Sequence, residues 1–453
     1  MPNEISAGYG FLYEMGCGKT LTTIAVMGAL YEQKKIRSAL VVCPATVIPV
    51  WPAEMERFAD FDFRVAALSG TMAQRIKAVR QVLRHDDDVL QLIICNYEAL
   101  RNDEMLLTLL DWKPDMVILD EMHRIKSPKA VQTMACQQLG SVAKYRIGLT
   151  GTVIPNSVED VYSQFRFLDG TVFPDNYYAF LARYAVKGGF GGKQIVATKN
   201  EQELSQRMQS VSYRVTKAEC LDLPEETYID LPVQLSPKER KLYDSMRLAS
   251  FAELEAEQTV TASTVLTKLL RLQQITGGFL KADGEDGRVE QVGTSKLDAL
   301  KDILTDYVLE NGKKLVIFCR FLPEVSAICR QLNDMKIGWR CITGSVPMNE
   351  RGKCVDDFQN DPDVKVFVGQ IDSVSLGLTL HAASTAVVYS STYNFASYEQ
   401  CLARIHRKGQ TQPCTYIHLV AERTVDSKII KALRTKRDFA KRIVDSDWRT
   451  LFD

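Results

Sequence analysis

The chain has 453 residues, more than one hydrophobic core usually organises, so two or three domains are predicted. Lysine plus arginine and aspartate plus glutamate each total 56, which excludes a strongly charged protein but not a local basic groove for nucleic acid. No apolar run or signal pattern indicates a membrane protein, and eleven cysteines without a Cys-x-x-Cys pair indicate reduced thiols in the cytoplasm.

A glycine loop follows the first apolar run, residues 10–13, and leads into a predicted helix. The loop reads Glu14-Met15-Gly16-Cys17-Gly18-Lys19-Thr20. Gly16 and Gly18 let backbone N–H groups turn toward phosphate oxygens. Lys19 is predicted to reach the β- and γ-phosphates of a nucleotide, and Thr20 to bind Mg²⁺. The strict pattern wants a glycine where Tyr13 stands, so an ordinary turn before a helix is the alternative.

Short apolar runs separated by helical or polar stretches continue through the first half. They predict a parallel sheet covered by helices on both faces. The predicted strands are residues 39–43, 65–68, 92–95, 116–119 and 145–149. Ligands of such sheets bind beyond the carboxyl ends of the strands, so motifs at those ends are expected to converge.

Acidic and hydroxyl residues follow two of these strands. Asp120 is predicted to hold Mg²⁺ through water, and Glu121 to orient or deprotonate an attacking water. The alternative is a solvated acidic turn. Thr150 and Thr152 flank a glycine at the next strand end, where they either respond to the γ-phosphate or form a capped turn.

The alternation of strands and helices is lost between residues 167 and about 235. Aromatic and basic residues there precede a glycine-rich loop at 188–193, which predicts either a nucleic-acid contact or a packed helix followed by a mobile hairpin. These residues are Tyr177, Tyr178, Phe180, Arg183, Tyr184 and Lys187. Ser236 begins a capped helix, a second helix follows, and residues 282–294 are predicted to be a linker.

A second strand–helix series occupies the rest of the chain and contains no further Gly-Lys-Thr. Its predicted strands are residues 315–319, 340–342, 364–368, 386–389 and 415–419. If residues 400–410 are helical, then Gln400, Arg404 and Arg407 share one face that suits a phosphate brought in from another domain. The alternative is a solvated basic helix.

In this order the motifs resemble those of superfamily-two helicases, and within them the SWI/SNF-type translocases. The segments that carry the resemblance are residues 14–20, Val42-Cys43-Pro44 with Trp51, Asn96-Tyr97-Glu98, the DEAH-like box at 120–126, Thr150-Gly151-Thr152, 269–275, 375–380, Tyr393-Asn394 and 400–410. The resemblance implies an α/β fold of two RecA-like parallel-sheet lobes in tandem, with a helical insertion between them and with ATP and Mg²⁺ as cofactors. The predicted bounds are 1–235 for the ATP-binding lobe with its insertion from about 167, 236–294 for a helical segment and linker, and 295–453 for the second lobe.

The resemblance also implies roles for individual residues. It implies that the catalytic residues are Lys19, Asp120, Glu121, Gln400, Arg404 and Arg407. Nucleotide binding falls to Gly16, Cys17, Gly18, Lys19, Thr20, Gly377, Arg404 and Arg407, and Mg²⁺ binding to Thr20 and Asp120. Nucleic-acid contacts fall to Pro44, Tyr97, Thr152, Arg320, Gly344 and Ser375.

Three departures from the family pattern are visible. Met122 stands where alanine is usual, and Cys17 stands where leucine is usual. Cys17 is either a reactive thiolate, favoured by a helix N-terminus and Lys19, or a small packing residue. The segment that reads adenine in the family is expected before the P-loop, so either the start is truncated or selectivity for ATP is looser.

The resulting hypothesis is an ATP-dependent translocase or remodeller of double-stranded DNA. We expect a monomer with a protein partner for targeting, without membrane association, in the cytoplasm of a bacterial cell or a virus-infected host. One alternative is a strand-separating helicase on single-stranded DNA or RNA. Another is a nucleotide-gated nucleic-acid-binding subunit that needs a partner. A kinase-like P-loop enzyme would leave the second half of the chain unexplained.

Overall fold

The structure is a computed structural model that describes residues 7–82, 88–154, 157–188, 194–256, 262–281, 289–374 and 378–444. The chain divides into two compact units: Met1–Asp222 with Lys436–Asp453 form unit 1, and Leu223–Thr435 form unit 2. The helical segment predicted for residues 236–294 therefore lies within unit 2. Each unit contains its own parallel sheet, and the predicted α/β class with two parallel-sheet lobes is confirmed.

The sheet of unit 1 has seven parallel strands in the order β3-β4-β2-β5-β6-β1-β9. These strands are β1 (Ala7–Tyr13), β2 (Ser38–Cys43), β3 (Phe63–Ala67), β4 (Leu90–Asn96), β5 (Met116–Asp120), β6 (Tyr145–Leu149) and β9 (Ser212–Val215). The five strands predicted as a parallel sheet all form, with ends that differ by no more than a few residues. The edge strand β9 was not predicted, because only Ser212 of its four residues is buried.

Helices cover both faces of this sheet. Successive residues of β2 alternate between two apolar clusters, with Leu40 and Val42 in one and Ala39, Val41 and Cys43 in the other, because side chains along a strand point to opposite faces. The helices of unit 1 are α1 (Lys19–Glu32), α2 (Val50–Phe58), α3 (Met72–Val82), α4 (Asp103–Trp112), α5 (Val131–Val142), α6 (Asp160–Leu168), α7 (Tyr177–Tyr184), α8 (Glu201–Gln209) and α9 (Lys217–Cys220).

The aromatic stretch of unit 1 is a packed helix followed by a hairpin. Phe180 and Tyr184 of α7 are fully buried, and Arg183 pairs with Glu203 at 2.8 Å. The hairpin consists of β7 (Ala185–Gly188) and β8 (Gln194–Thr198), and the glycine-rich turn between them lies outside the described residues. Burial thus supports the packing interpretation for Phe180 and Tyr184. Tyr178, Arg183 and Lys187 are exposed, so a nucleic-acid contact by these three residues stays a prediction.

The sheet of unit 2 has six parallel strands in the order β10-β17-β16-β13-β15-β14. These strands are β10 (Glu226–Val233), β13 (Leu315–Cys319), β14 (Gly338–Ile342), β15 (Val364–Gln370), β16 (Thr385–Val388) and β17 (Cys414–Ala421), and a separate antiparallel hairpin joins β11 (Phe279–Lys281) to β12 (Val289–Gln291). The remaining helices are α10 (Pro237–Ala256), α11 (Ala262–Thr276), α12 (Ser295–Ile303), α13 (Leu322–Asp334), α14 (Met348–Asn360), α15 (Ile371–Val374), α16 (Phe395–Leu402) and α17 (Val425–Val444).

The five predicted strands of the second half form, whereas the edge strand β10 was not predicted. Val233 alone among the eight residues of β10 is buried, so the strand lacks the apolar pattern that revealed its neighbours. None of the helices within the described residues combines the length and apolar character needed to cross a membrane.

Candidate active site

The glycine loop connects β1 to α1 in a conformation that only glycine adopts without strain. Gly16 and Gly18 have φ angles of 87° and 83°, and Gly18 caps the N-terminus of α1 in the left-handed region. The ammonium of Lys19 folds back and donates to the backbone oxygens of Tyr13 at 3.1 Å and Glu14 at 3.4 Å. The loop therefore offers backbone N–H groups, a helix N-terminus and a flexible cation in one place, which is the donor set for a phosphate.

Asp120 is the last residue of β5, which belongs to the same sheet as β1 and is separated from β1 by one strand, β6. Its side chain is 7% exposed, and its carboxylate accepts from the backbone N–H of Glu121 at 2.9 Å and from Nε1 of Trp51 at 3.1 Å. Burial raises the pKa of Asp120 above its ordinary value, and the charge of Glu121 adds to this. The ammonium of Lys19 opposes the rise. Since β5, β6 and β1 are neighbouring parallel strands, the glycine loop and the acidic box lie at the same edge of the sheet.

Glu121 occupies the left-handed region with a φ of 54°, which is strained for a residue other than glycine and is typical of functional sites. One of its carboxylate oxygens lies 3.3 Å from Nδ1 of His123. The same nitrogen lies 3.1 Å from the hydroxyl of Thr150, which also accepts from the backbone N–H of Thr152 at 3.1 Å. His123 therefore links the acidic box to the Thr-Gly-Thr motif, a role that the sequence did not reveal.

The oxygen donors present in unit 1 suit Mg²⁺. The hydroxyl of Thr20 and the carboxylate of Asp120 are hard ligands, and Mg²⁺ usually binds one or two protein oxygens together with substrate phosphates and water. Within the described residues no group of three or more His, Cys, Asp or Glu side chains forms a metal cage. The site thus fits an ion that arrives with a nucleotide.

Met122 packs over a glycine of the adjacent strand. Met122 is fully buried, and a Cβ added to Gly148 of β6 would lie 2.1 Å from its sulfur. The missing side chain at 148 thus provides the space that the thioether fills, which explains how the chain accommodates methionine at a position where alanine is usual.

Cys17 is a packing residue with a suppressed thiolate. Burial raises its pKa to about 12, and a hydrogen bond with Cys220 adds to the effect, while Lys19 opposes it. Of the two interpretations of Cys17, the raised pKa and the packing of its side chain against an apolar cluster favour the small packing residue. The helix N-terminus and the nearby ammonium do not offset the loss of solvent.

In unit 2 the helix that carries Gln400 is shorter than predicted. Because α16 ends at Leu402, the prediction that Gln400, Arg404 and Arg407 share one face of a helix is wrong. Arg404 is only 7% exposed and donates to the backbone oxygens of Gln400 at 2.8 Å and Leu378 at 3.2 Å. Arg407 donates to the same Leu378 oxygen at 2.8 Å, so the turn after the helix still brings both arginines together.

Burial also affects the pKa of Arg407. It lowers the pKa of this guanidinium below its ordinary value, yet arginine remains protonated at neutral pH. The solvated basic helix, which was the alternative interpretation, does not match these buried contacts. Two other predicted site residues, Ser375 and Gly377, lie outside the described residues.

Three of the predicted nucleic-acid contacts lie inside unit 1. Pro44 and Thr152 are buried, and Tyr97 is 0% exposed. The hydroxyl of Tyr97 donates to the backbone oxygen of Asp120 at 2.8 Å. A fully buried side chain does not reach a polymer in solvent, so the assignment of the Tyr97 side chain to nucleic-acid contact is corrected.

The other two described candidates lie in unit 2. Arg320 donates to the side-chain oxygen of Gln273 at 2.9 Å, and its guanidinium lies over the rings of Phe321 and Tyr393. Burial lowers the pKa of Arg320. Gly344 is exposed, and its N–H donates to Gln370 at 3.3 Å.

Comparison with protein families gives two matches. The model of the SNF2-related domain matches residues 8–277, which is more than half of the chain, and the model of the helicase conserved C-terminal domain matches residues 295–409. Together they cover most of both units and all the motifs that carry the resemblance, except the last residue of the segment at 400–410.

Individual proteins are also similar. An uncharacterized ATP-dependent helicase of Mycoplasma genitalium is 26% identical over 439 residues, covering 96% of this chain and 40% of that protein. Chromodomain-helicase-DNA-binding protein 1-like of Danio rerio is 26% identical over 450 residues, covering 97% and 42%. This chain thus spans less than half the length of these relatives. The solved Sulfolobus solfataricus SWI2/SNF2 ATPase core in complex with dsDNA is 26% identical, with 98% of this chain and 89% of that chain covered and a TM-score of 0.42.

Proposed function

This chain belongs to the family of SNF2-related domains, and from that membership we propose that it is an ATP-driven translocase or remodeller of double-stranded DNA. It is a helicase-family ATPase with two RecA-like lobes. The observation that carries the proposal is that the glycine loop after β1 and the acids Asp120 and Glu121 at the end of β5 lie at the same carboxyl edge of one parallel sheet.

ATP binds at the glycine loop in this proposal. Backbone N–H groups around Gly16 and Gly18 hold phosphate oxygens, and Lys19 leaves the carbonyl oxygens of Tyr13 and Glu14 to pair with the β- and γ-phosphates. Mg²⁺, when bound by Thr20 and by Asp120 through water, neutralises charge on the phosphates.

Glu121 orients the attacking water and accepts its proton. The neighbouring His123 limits the rotamers of this carboxylate, because its ring nitrogen lies 3.3 Å from the Glu121 oxygen. Since the same nitrogen lies 3.1 Å from Thr150, movement of the Thr-Gly-Thr segment alters the position of the base. This contact is the path by which we expect the state of the nucleotide to affect the rest of unit 1.

Arg404 and Arg407 supply positive charge that stabilises the transition state of phosphoryl transfer. An arginine in this role contributes about 10³–10⁵ in rate, which corresponds to roughly 4–7 kcal/mol. Their shared contact at the Leu378 oxygen keeps both guanidiniums close together and oriented before ATP arrives.

The duplex DNA partner is proposed from membership of the SNF2-related family and from the name of one relative, chromodomain-helicase-DNA-binding protein 1-like. The Thr-Gly-Thr motif is the version that resembles translocases rather than strand-separating helicases. Contacts to the phosphate backbone would give little sequence preference and strong dependence on salt.

The test is the ATPase rate of the chain with duplex DNA, single-stranded DNA, RNA or no polymer, at two salt concentrations. We expect the largest stimulation with duplex DNA and its loss at higher salt. A triplex-displacement assay then detects movement along the duplex, and a forked-duplex assay detects strand separation, with Lys19→Ala as the inactive control. Preference for single strands or RNA would instead support a strand-separating helicase, and the absence of stimulation would support a binding subunit that needs a partner.

A further inference from the structure

Two buried aromatic side chains from separate segments of unit 1 donate to the same acidic residue. Nε1 of Trp51, on α2, donates to Oδ2 of Asp120 at 3.1 Å. The hydroxyl of Tyr97, in the turn after β4, donates to the backbone oxygen of Asp120 at 2.8 Å. Both rings are 0% exposed. The donors are 69 and 23 residues away from Asp120 along the chain, so only the tertiary fold produces this arrangement.

The contact from Trp51 fixes the carboxylate. Oδ1 of Asp120 accepts from the N–H of Glu121 at 2.9 Å, so with Trp51 on Oδ2 both oxygens are held and the group does not rotate freely. Each carboxylate oxygen accepts more than one hydrogen bond, which leaves capacity for a metal-bound water. An indole N–H has donor character only, so a buried tryptophan needs an acceptor, and here Asp120 meets that need.

The contact from Tyr97 fixes the backbone. The carbonyl that it holds belongs to the peptide plane immediately before Glu121, whose φ of 54° is strained. Loss of the hydroxyl would release that plane, and with it the direction of the Glu121 side chain. Arg124, which lies over the Tyr97 ring at 5.4 Å and pairs with Glu98 at 2.6 Å, keeps the ring in place.

We propose that Trp51 and Tyr97 are positioning residues of the ATPase centre: they set the orientation of Asp120 and of the peptide leading to Glu121. The proposal rests on the proposed function, because it assumes that Asp120 serves the metal–nucleotide complex. It gives a role to two segments that the sequence associated with nucleic acid. Through these two hydrogen bonds, a movement of α2 or of the turn at 97–101 changes the position of Asp120 and of the peptide before Glu121.

The test uses Trp51→Phe and Tyr97→Phe in the whole chain. Tyr97→Phe removes one oxygen atom, and Tyr162→Phe is its matched control, because the Tyr162 hydroxyl also donates to a backbone oxygen, that of Asp175 at 2.5 Å, from a buried ring in the same unit. Mn²⁺ affinity is measured by electron paramagnetic resonance with a non-hydrolysable ATP analogue. Nucleotide affinity without metal, ATPase kcat and thermal stability are measured in parallel.

We expect Trp51→Phe and Tyr97→Phe to weaken Mn²⁺ affinity about tenfold, as loss of a group that orients a metal ligand typically does. Nucleotide affinity without metal should stay within about twofold of the parent chain, because the glycine loop is untouched. Tyr162→Phe should match the parent in Mn²⁺ affinity even where its stability falls.

Equal Mn²⁺ affinity in Tyr97→Phe, Tyr162→Phe and the parent chain would overturn the proposal and leave the proposed function standing. If the parent chain itself binds no Mn²⁺ with the ATP analogue and hydrolyses no ATP, the proposed function is overturned, and the positioning roles that rest on it are overturned with it. Should Trp51→Phe not fold, Tyr97→Phe alone still distinguishes these results.

Discussion

The guanidiniums of Arg404 and Arg407 donate to one oxygen atom, the carbonyl of Leu378, at 3.2 and 2.8 Å. The backbone repeats this connection, since the N–H of Leu380 donates to the carbonyl of Arg404 at 2.9 Å. The segment at 378–380 and the turn after α16 are therefore one hydrogen-bonded assembly within unit 2.

Arg407→Ala is predicted to keep ATP binding and to lose about 10³-fold in turnover, because it removes charge that stabilises the transition state. Polymer-stimulated ATPase and equilibrium binding of a fluorescent ATP analogue check this. Arg434→Ala is the control, since Arg434 also pairs with an oxygen of unit 2, that of Asp230 at 2.8 Å, on the exposed surface. Turnover of Arg407→Ala within a few-fold of the parent would contradict the role.

Glu121→Gln is predicted to bind ATP at least as tightly as the parent chain and to lose 10²-fold or more in turnover, because the amide cannot accept the proton of the attacking water. Single-turnover hydrolysis measures the chemical step directly. Glu104→Gln is a matched control on the exposed surface, where Glu104 pairs with Arg80 at 3.1 Å. Normal single-turnover rates in Glu121→Gln would exclude it as the base.

Alkylation of Cys17 is predicted to be slow at neutral pH. A thiol whose pKa is about 12 instead of 9.0 carries roughly 10³-fold less thiolate at pH 8. Labelling by iodoacetamide, followed by mass spectrometry of the peptide, should rise about tenfold per pH unit between pH 8 and 10. Cys220→Ser should speed labelling, because Cys220 raises the pKa of Cys17. A labelling rate that levels off below pH 9 would refute the prediction.

The stability of unit 2 is predicted to depend on Glu324. Burial raises the pKa of this carboxyl to about 7 from an ordinary 4.5, although Ser390 and the N–H of Phe321 donate to it and Lys296 lies near. The folded protein holds this proton more tightly than the unfolded chain. The contribution of protonated Glu324 to the free energy of unfolding is therefore complete below about pH 4.5 and is lost as the pH rises to about 7. The free energy of unfolding falls by about 3 kcal/mol over this range.

Glu324→Gln should remove this dependence, because the amide oxygen still accepts from Ser390 and Phe321 while the group no longer titrates. Urea unfolding of both chains between pH 4.5 and 8 measures the effect. The parent chain should lose stability relative to the variant across this window. If the free energies of unfolding of the parent chain and of Glu324→Gln change in parallel with pH, Glu324 does not cause the pH dependence.

Short-range patterns in the sequence determined much of the fold and the identity of the reactive residues. Continuous apolar runs predicted ten of the parallel strands, because strands covered on both faces need such runs. The glycines around Lys19 and the acids at the end of β5 were recognisable since their chemistry depends on spacing along a few residues. Exposed edge strands such as β9 and β10 carry no such pattern, and the end of α16 at Leu402 has no strong local signal.

Tertiary structure alone decided which of these groups meet. Trp51 reaches Asp120 because β2 lies between β4 and β5 in a sheet whose order differs from chain order. The same order buries Tyr97, which the sequence placed at a nucleic-acid surface, and brings His123 to Thr150. Local sequence specifies each strand and loop through steric and hydrophobic preferences of neighbouring residues. Contacts between distant residues depend instead on strand order and burial, which arise only when the whole sheet is assembled.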